Sequence, residues 1–372
     1  MNHNDLSAAS SVIADQAIRA VRNGELRRAQ GFAAQALRMA RDEGEGATLQ
    51  ALNTLALVQG VSGRYIESMA SSVDAFNMAH QAGNRSGALH AAATMGANGT
   101  FILDAGPALG ELLEYCAGEA AALGDDVLKA RIHNTRGLHY QTSGHLDLAK
   151  ASFEAALAIV GDPLSRAAMY TPRLLVLSNL AFLGVERARR AEPGEQARLR
   201  AQARQAVDTV VALAVDSGNL DAVGRARFGL ATLHADAGHA VEALGEFERV
   251  LECALAIGQT PQQVDARIAI AQAEFALARP DAAIATLAQA FETAETMRPT
   301  RQIATICDLQ AEMYGRLGRP REAAHHRAIA ERERAIHLKE NEHVRNMFLD
   351  FCSRLQRPHH AGVTGGGAPP GG

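Results

Sequence analysis

The chain has 372 residues, of which 47% are hydrophobic and 21% charged, and a formal net charge of −4. That balance excludes a disordered polymer, and it removes the usual electrostatic reason to expect binding to nucleic acid. Aromatics make up 4%, Trp is absent and only 11 residues are Pro, a mixture that suits helices and starves sheets.

Read in chain order, the sequence is punctuated by short turns that close one helical stretch and open another. The clear ones are Gly24-Glu25-Leu26, Gly63-Arg64-Tyr65, Gly144-His145-Leu146, Gly238-His239-Ala240 and Gly318-Arg319-Pro320, with weaker copies at Asp104 and Ala278. The positions 24, 63, 104, 144, 238, 278 and 318 are separated by 39, 41, 40, 94, 40 and 40 residues. The period is therefore about 40, and the long gap holds two periods plus 14 residues. One further repeat is expected between Pro163 and Asn219. Its surplus falls on the polar segment Val185 to Arg198, broken by Pro193-Gly194 and read as an extra loop or lengthened helix ends. Eight helix pairs follow, with first helices near 6–22, 46–61, 86–103, 126–142, 165–187, 220–237, 261–277 and 300–317. Asp126, Ser165 and Thr260-Pro261 supply cap or first-turn residues.

Small residues face each other across the predicted crossings: Ala17 with Ala29, Ala56 with Ser68, Gly137 with Ala149, Ala231 with Ala243, and Ala311 with Ala323. They permit close helix approach, while Leu37, Phe153 and Phe247 fill the gap to the next pair. In the fourth copy Gly137, Tyr140, Gly144, Ala149, Phe153, Ala156 and Leu157 stand at the spacings of the tetratricopeptide repeat, and the chain resembles that family over about residues 6 to 335. The first copy matches with Gly24, Leu26, Ala29, Ala33, Ala36 and Leu37, and the sixth with Leu230, Ala231, Gly238, Ala243, Phe247 and Leu251; the third and fifth match poorly. The family's unit is 34 residues, so this period adds roughly one helical turn per repeat, as in the long-helix repeats of bacterial regulators. The resemblance implies an all-α fold, a right-handed α-solenoid of about eight antiparallel helix pairs with a long C-terminal helix. It also implies a concave groove lined by the first helices.

From Pro320 to Arg357 the pattern runs on as one charged helix, in which Val344, Phe348, Phe351 and Leu355 recur at spacings of 4, 3 and 4. Such a stripe belongs either to a capping helix that folds back to cover the last repeat or to a homodimerisation helix. The organisation expected is an array over 1–335 with an insertion near 185–198, a terminal helix over 336–357 and a Gly/Pro-rich disordered tail over 358–372.

Chemistry is sparse. There is no GxxxxGK[ST], GxSxG or HExxH, so neither catalytic residues nor a cofactor are expected. His325 and His326 are adjacent on a helix and point about 100° apart, which argues against a shared metal ion. Cys116, Cys253, Cys307 and Cys352 are widely spaced and read as reduced, buried small hydrophobes. No run of about 18–20 apolar residues exists to cross a bilayer. The start, Met1-Asn2-His3-Asn4-Asp5, has neither the basic nor the apolar region of a leader, so a cytoplasmic address is expected.

The groove carries the functional expectation. Repeat alignment places Asn53 and Asn134 at one inward position, Asn98 a turn further along its helix and Asn179 near the equivalent place. An asparagine donates and accepts at once, so a row of them can hold a peptide backbone without reading its sequence. Gln50, Arg131, Gln141, Arg173 and Arg225 lie near, suited to carboxylates, and Phe101 and Phe275 are candidate anchors. The alternative for the polar row is that it hydrates an empty surface or bonds neighbouring helices. Function is therefore expected to be non-catalytic binding of a protein or peptide. The alternative is a sensory, dimerising input module that works with a separate diguanylate cyclase or kinase, and neither nucleic acid nor membrane is expected as a partner.

Overall fold

A computed structural model of the chain describes residues 3–102, 107–160, 173–297 and 301–355, and among them there are sixteen helices and no strand. The helices pair in sequence: α1 His3–Arg22 with α2 Leu26–Glu43, α3 Glu45–Val61 with α4 Tyr65–Gln81, α5 Arg85–Ile102 with α6 Pro107–Leu123, and α7 Asp126–Thr142 with α8 Leu146–Val160. The second half follows with α9 Arg173–Arg190 and α10 Pro193–Ser217, α11 Leu220–Asp236 and α12 Ala240–Ile257, α13 Thr260–Ala276 and α14 Pro280–Glu295, and α15 Gln302–Arg316 and α16 Pro320–Leu355. This is the expected all-α, right-handed solenoid of eight tetratricopeptide-like helix pairs. The turn near Asp104, the helix start at Ser165 and the tail over 358–372 lie outside the described residues.

Each predicted crossing is dry. Ala17, Ala29, Ala56, Ser68, Ala149, Ala231, Ala243, Ala311 and Ala323 are all buried. Gly137 is needed at its crossing because a Cβ there would run into the ring of the fully buried Phe153. The turns repeat one geometry. Gly24, Gly63, Gly144, Gly238 and Gly318 adopt positive φ, and Ala278 occupies the same left-handed position at φ 57°. The following N–H closes the helix end by reaching back five residues, as His145 does to the Tyr140 carbonyl and Arg279 to that of Glu274. Asp125 and Asn219 cap α7 and α11, accepting hydrogen bonds from the Leu128 and Ala222 N–H groups. The 14-residue surplus is absorbed by longer helix ends, since α9 runs to Arg190 and α10 spans 25 residues.

The array also closes on itself. Asn219 Nδ2 donates to the Arg22 carbonyl, and Gln259 Nε2 donates to that of Val61 at 2.9 Å, across sequence separations of 197 and 198 residues. Pro261 presses against Gly63. Repeats one and two thus meet repeats six and seven, and one superhelical turn takes five repeats.

The third pair departs from the rest. Here α6 packs less closely on α5 than partner helices do elsewhere, and the end of α16 contacts both. Val344, Phe348 and Phe351 are buried in one cluster with Phe76, Met95, Leu109, Leu112, Leu113 and Cys116, with Leu355 packed at its edge. Phe351 meets Phe76 with ring centroids 4.8 Å apart, and Arg354 donates to Asn77. The apolar stripe therefore does not cap the last repeat but is covered in cis by repeats two and three, one superhelical turn from where α16 begins. A homodimer through Val344, Phe348, Phe351 and Leu355 would require this segment to leave its seat.

All four cysteines are free, but only Cys116 and Cys307 are buried, while Cys253 and Cys352 are half-covered. Among the described residues no helix is long and apolar enough to cross a membrane.

Candidate functional site

Successive first helices are tied by polar side chains along the concave face. Gln50 Nε2 donates to Ser11 Oγ at 3.2 Å, Asn53 Nδ2 to the Gly87 carbonyl at 3.2 Å, Arg131 to Thr94 Oγ1, and Asn179 Nδ2 to Asn134 Oδ1 at 2.8 Å. Gln302 donates to Asp265 in the same way between α15 and α13. The partners stand 34 to 45 residues apart, about one repeat. Each tie satisfies a polar group that would otherwise be half-desolvated between helices.

This ladder sorts the predicted residues. Asn134 and Asn179 spend their facing groups on each other. Gln141 donates to Glu186 at 3.0 Å, linking α7 to α9 at the far end of the helices. Arg225 pairs with Asp221 of its own helix at 3.0 Å, and that charge raises its pKa despite burial. Asn98 lies inside the wall, with its amide donating to Ser68 Oγ at 2.7 Å. Arg173 opens α9 and is half-buried. Phe101 is exposed on one side and stacks on Tyr65, with centroids 5.4 Å apart. Phe275 is half-buried beneath the Arg316 guanidinium, 4.7 Å from its ring centre. Among the described residues no three His, Cys, Asp or Glu side chains gather as a metal site.

Gln50, Asn53 and Arg131 converge. They line a cleft of about 290 Å³ across α3, α5 and α7, together with Leu49, Asn84, Ser86, Gly87 and His90. A Cβ at Gly87 would fall 2.8 Å from Leu49 Cδ2, so an alanine there needs the tip of that leucine to shift. One amide bond of Asn53 leaves its Oδ1 buried and without a partner. Arg131 is nine-tenths covered yet reaches the cleft floor. At one side His90 Nε2 stands 3.5 Å from Asp125. That hydrogen bond, with the Leu128 N–H as a further donor, outweighs burial and holds the Asp125 carboxyl down at about 2. The cleft therefore offers an orphan acceptor at Asn53, a guanidinium at Arg131 and a histidine backed by a carboxylate. Sequence reasoning missed His90, Asn84 and Ser86. The available signal was Asn84, three residues before Gly87, whose N–H it accepts at 2.9 Å as α5 begins.

A second, larger cleft of about 680 Å³ runs along the seam between superhelical turns, lined by Arg27, Ser62, Tyr65, Thr260, Gln263 and Glu292 among others. Close by, protein crowding raises the Tyr65 hydroxyl to about 12. Asp265 is open at its own surface but ringed by protein, which lifts its carboxyl to about 6 while the Gln302 amide pulls the other way.

No family model and no curated protein matches the sequence. Solved structures do. A Rap protein complexed with competence and sporulation factor is 12% identical, with a TM-score of 0.53 over 94% of this chain and 85% of that one. A signal-transduction ATPase with numerous domains and a tetratricopeptide repeat sensor, from Pyrococcus horikoshii, is 11% identical, with a TM-score of 0.52 over 95% of this chain and 50% of that one. At such identities the likeness is one of fold, that of tetratricopeptide-like helical repeats.

Proposed function

We propose that this protein is a non-catalytic, cytoplasmic scaffold of bacterial regulation that binds a peptide or protein segment in its concave groove. The observation that carries the reading is the cleft across α3, α5 and α7, where the buried Asn53 Oδ1 lacks a donor beside the Arg131 guanidinium. A backbone N–H supplies that donor and a carboxylate answers the guanidinium, and a peptide carries both. A Rap protein of similar fold was solved with a bound factor, which agrees with a groove that takes a ligand. Because Asn134, Asn179 and Gln141 are engaged by neighbouring helices, the binding determinants centre on repeats two to four.

The reading is tested by panning a random peptide library against the full chain and measuring selected peptides on Asn53→Ala and Asn53→Asp. Asn53→Ala removes the acceptor for the ligand's N–H and predicts roughly tenfold weaker binding, whereas Asn53→Asp keeps an acceptor oxygen and retains most of it. Enriched peptides that bind Asn53→Ala as tightly as the parent would move the site out of this cleft. Failure to enrich any peptide would count against peptide binding altogether.

A further inference from the structure

The end of α16 has two unlike parts. Up to Arg334, whose guanidinium pairs with Asp308, the helix rides on α15 as the second member of its repeat. The next nine residues are a charged bridge whose Leu338 is 71% exposed. Beyond it, burial resumes at Val344 on a different bed, formed by α4, α5 and α6. The bed is apolar, and it exists because α6 stands away from α5. It lies at the third position of the seam: repeat six meets repeat one, repeat seven meets repeat two, and here repeat eight meets repeat three.

We infer that the bed on α4, α5 and α6 is a helix-docking site and that residues 344–355 of the same chain are its detachable occupant, a strap that closes the superhelix. The partner class follows from the contacts: an amphipathic helix with large apolar residues at spacings of 4, 3 and 4, ending in a basic residue that can reach Asn77. A helix-in-groove contact of three buried side chains, with Met347, Cys352 and Leu355 at its edge, is small compared with a repeat-to-repeat interface. The strap therefore opens before the array unfolds. This inference rests on other observations than the concave cleft, which shares α5 and Leu49 with the bed but opens between α3, α5 and α7.

The native cysteines report it. Cys116 in α6 is fully buried within the cluster that holds the strap, whereas Cys307 is buried in α15 beyond its reach. In the unmodified chain, Cys116 is expected to react with a maleimide in urea well below the main unfolding transition, and Cys307 only at that transition. Reaction of both together at the main transition would overturn the inference. In full-length Phe348→Asp/Phe351→Asp, helicity by circular dichroism is expected to persist, with Cys116 alkylated at least about tenfold faster and a larger radius of gyration by X-ray scattering. A labelled synthetic peptide of residues 338–357 should bind this variant, whose bed is empty, and not the parent, whose bed is filled. A folded variant that ignores the peptide, or a parent that binds it equally, would refute the docking site. Light scattering should give a monomer for the parent. A dimer abolished by the double substitution would seat the strap in a second copy and refute closure in cis.

Discussion

Replacing Gly137 by Ala sets two effects of opposite sign against each other at the crossing of α7 and α8. Alanine is the better helix former, by about 1 kcal/mol in an exposed helix interior. Its methyl group, however, would collide with the Phe153 ring, not with a flexible chain end. That ring is fully buried among Ala149, Ala156, Val176 and Leu183. Overpacking of this kind costs about 1–3 kcal/mol, and the rigid ring places it at the upper end. The net expectation is a destabilisation of about 1–2 kcal/mol, read as a lower urea midpoint by circular dichroism. The cycle of Gly137→Ala, Phe153→Leu and the double variant isolates the clash, because the smaller side chain makes room for the methyl. The double variant should be destabilised by less than the sum of the single effects, by about 1 kcal/mol or more. If Gly137→Ala alone matches or stabilises the parent, helix propensity outweighs sterics and the account of the crossing is wrong.

Ala278 holds a left-handed conformation that costs a non-glycine residue about 1–2 kcal/mol, so Ala278→Gly should stabilise by roughly 0.5–1 kcal/mol after the entropy of the freer unfolded chain; a lower urea midpoint would contradict this. The Asp125 carboxyl is held at about 2, below its ordinary 3.8, so it contributes stability that is present above pH 4 and is lost as pH falls through about 2. The stability gap between the parent and Asp125→Asn should therefore be full at pH 5 and vanish near pH 2, and a gap constant with pH would exclude the ionised carboxylate as its source. Gln259→Ala removes the bond to the Val61 carbonyl across the seam and should cost about 1 kcal/mol, with faster amide exchange in the turn at 62–64. Exchange that rises uniformly over the chain instead would mean that the seam does not act locally.

The repeat was legible because its signals are local. A left-handed turn needs glycine, a close crossing needs a small side chain, and both recur every 40 or so residues whatever the rest of the chain does. Ala278 shows the limit of the signal: it takes the glycine position without being glycine, and only the period located it. Asn98 turned into the wall and Arg225 to its own helix, and the reading that such polar residues bond neighbouring helices describes Asn134 with Asn179. The cleft came into view only through the interhelical offset, which decides that Asn53 bonds a carbonyl while its oxygen stays bare.

Composition, the period, the capping residues and the 4-3-4 stripe on α16 were set by the sequence alone, through interactions spanning a few residues. What the stripe packs against was decided by the tertiary structure. The rotation between successive repeats, about a fifth of a turn, comes from the packing of each whole interface, so no short motif encodes it. Summed over five repeats, it brings Asn219 to Arg22, Gln259 to Val61 and the end of α16 onto α4, α5 and α6. Closure of the superhelix is an accumulated angle, and accumulated angles exist only in three dimensions.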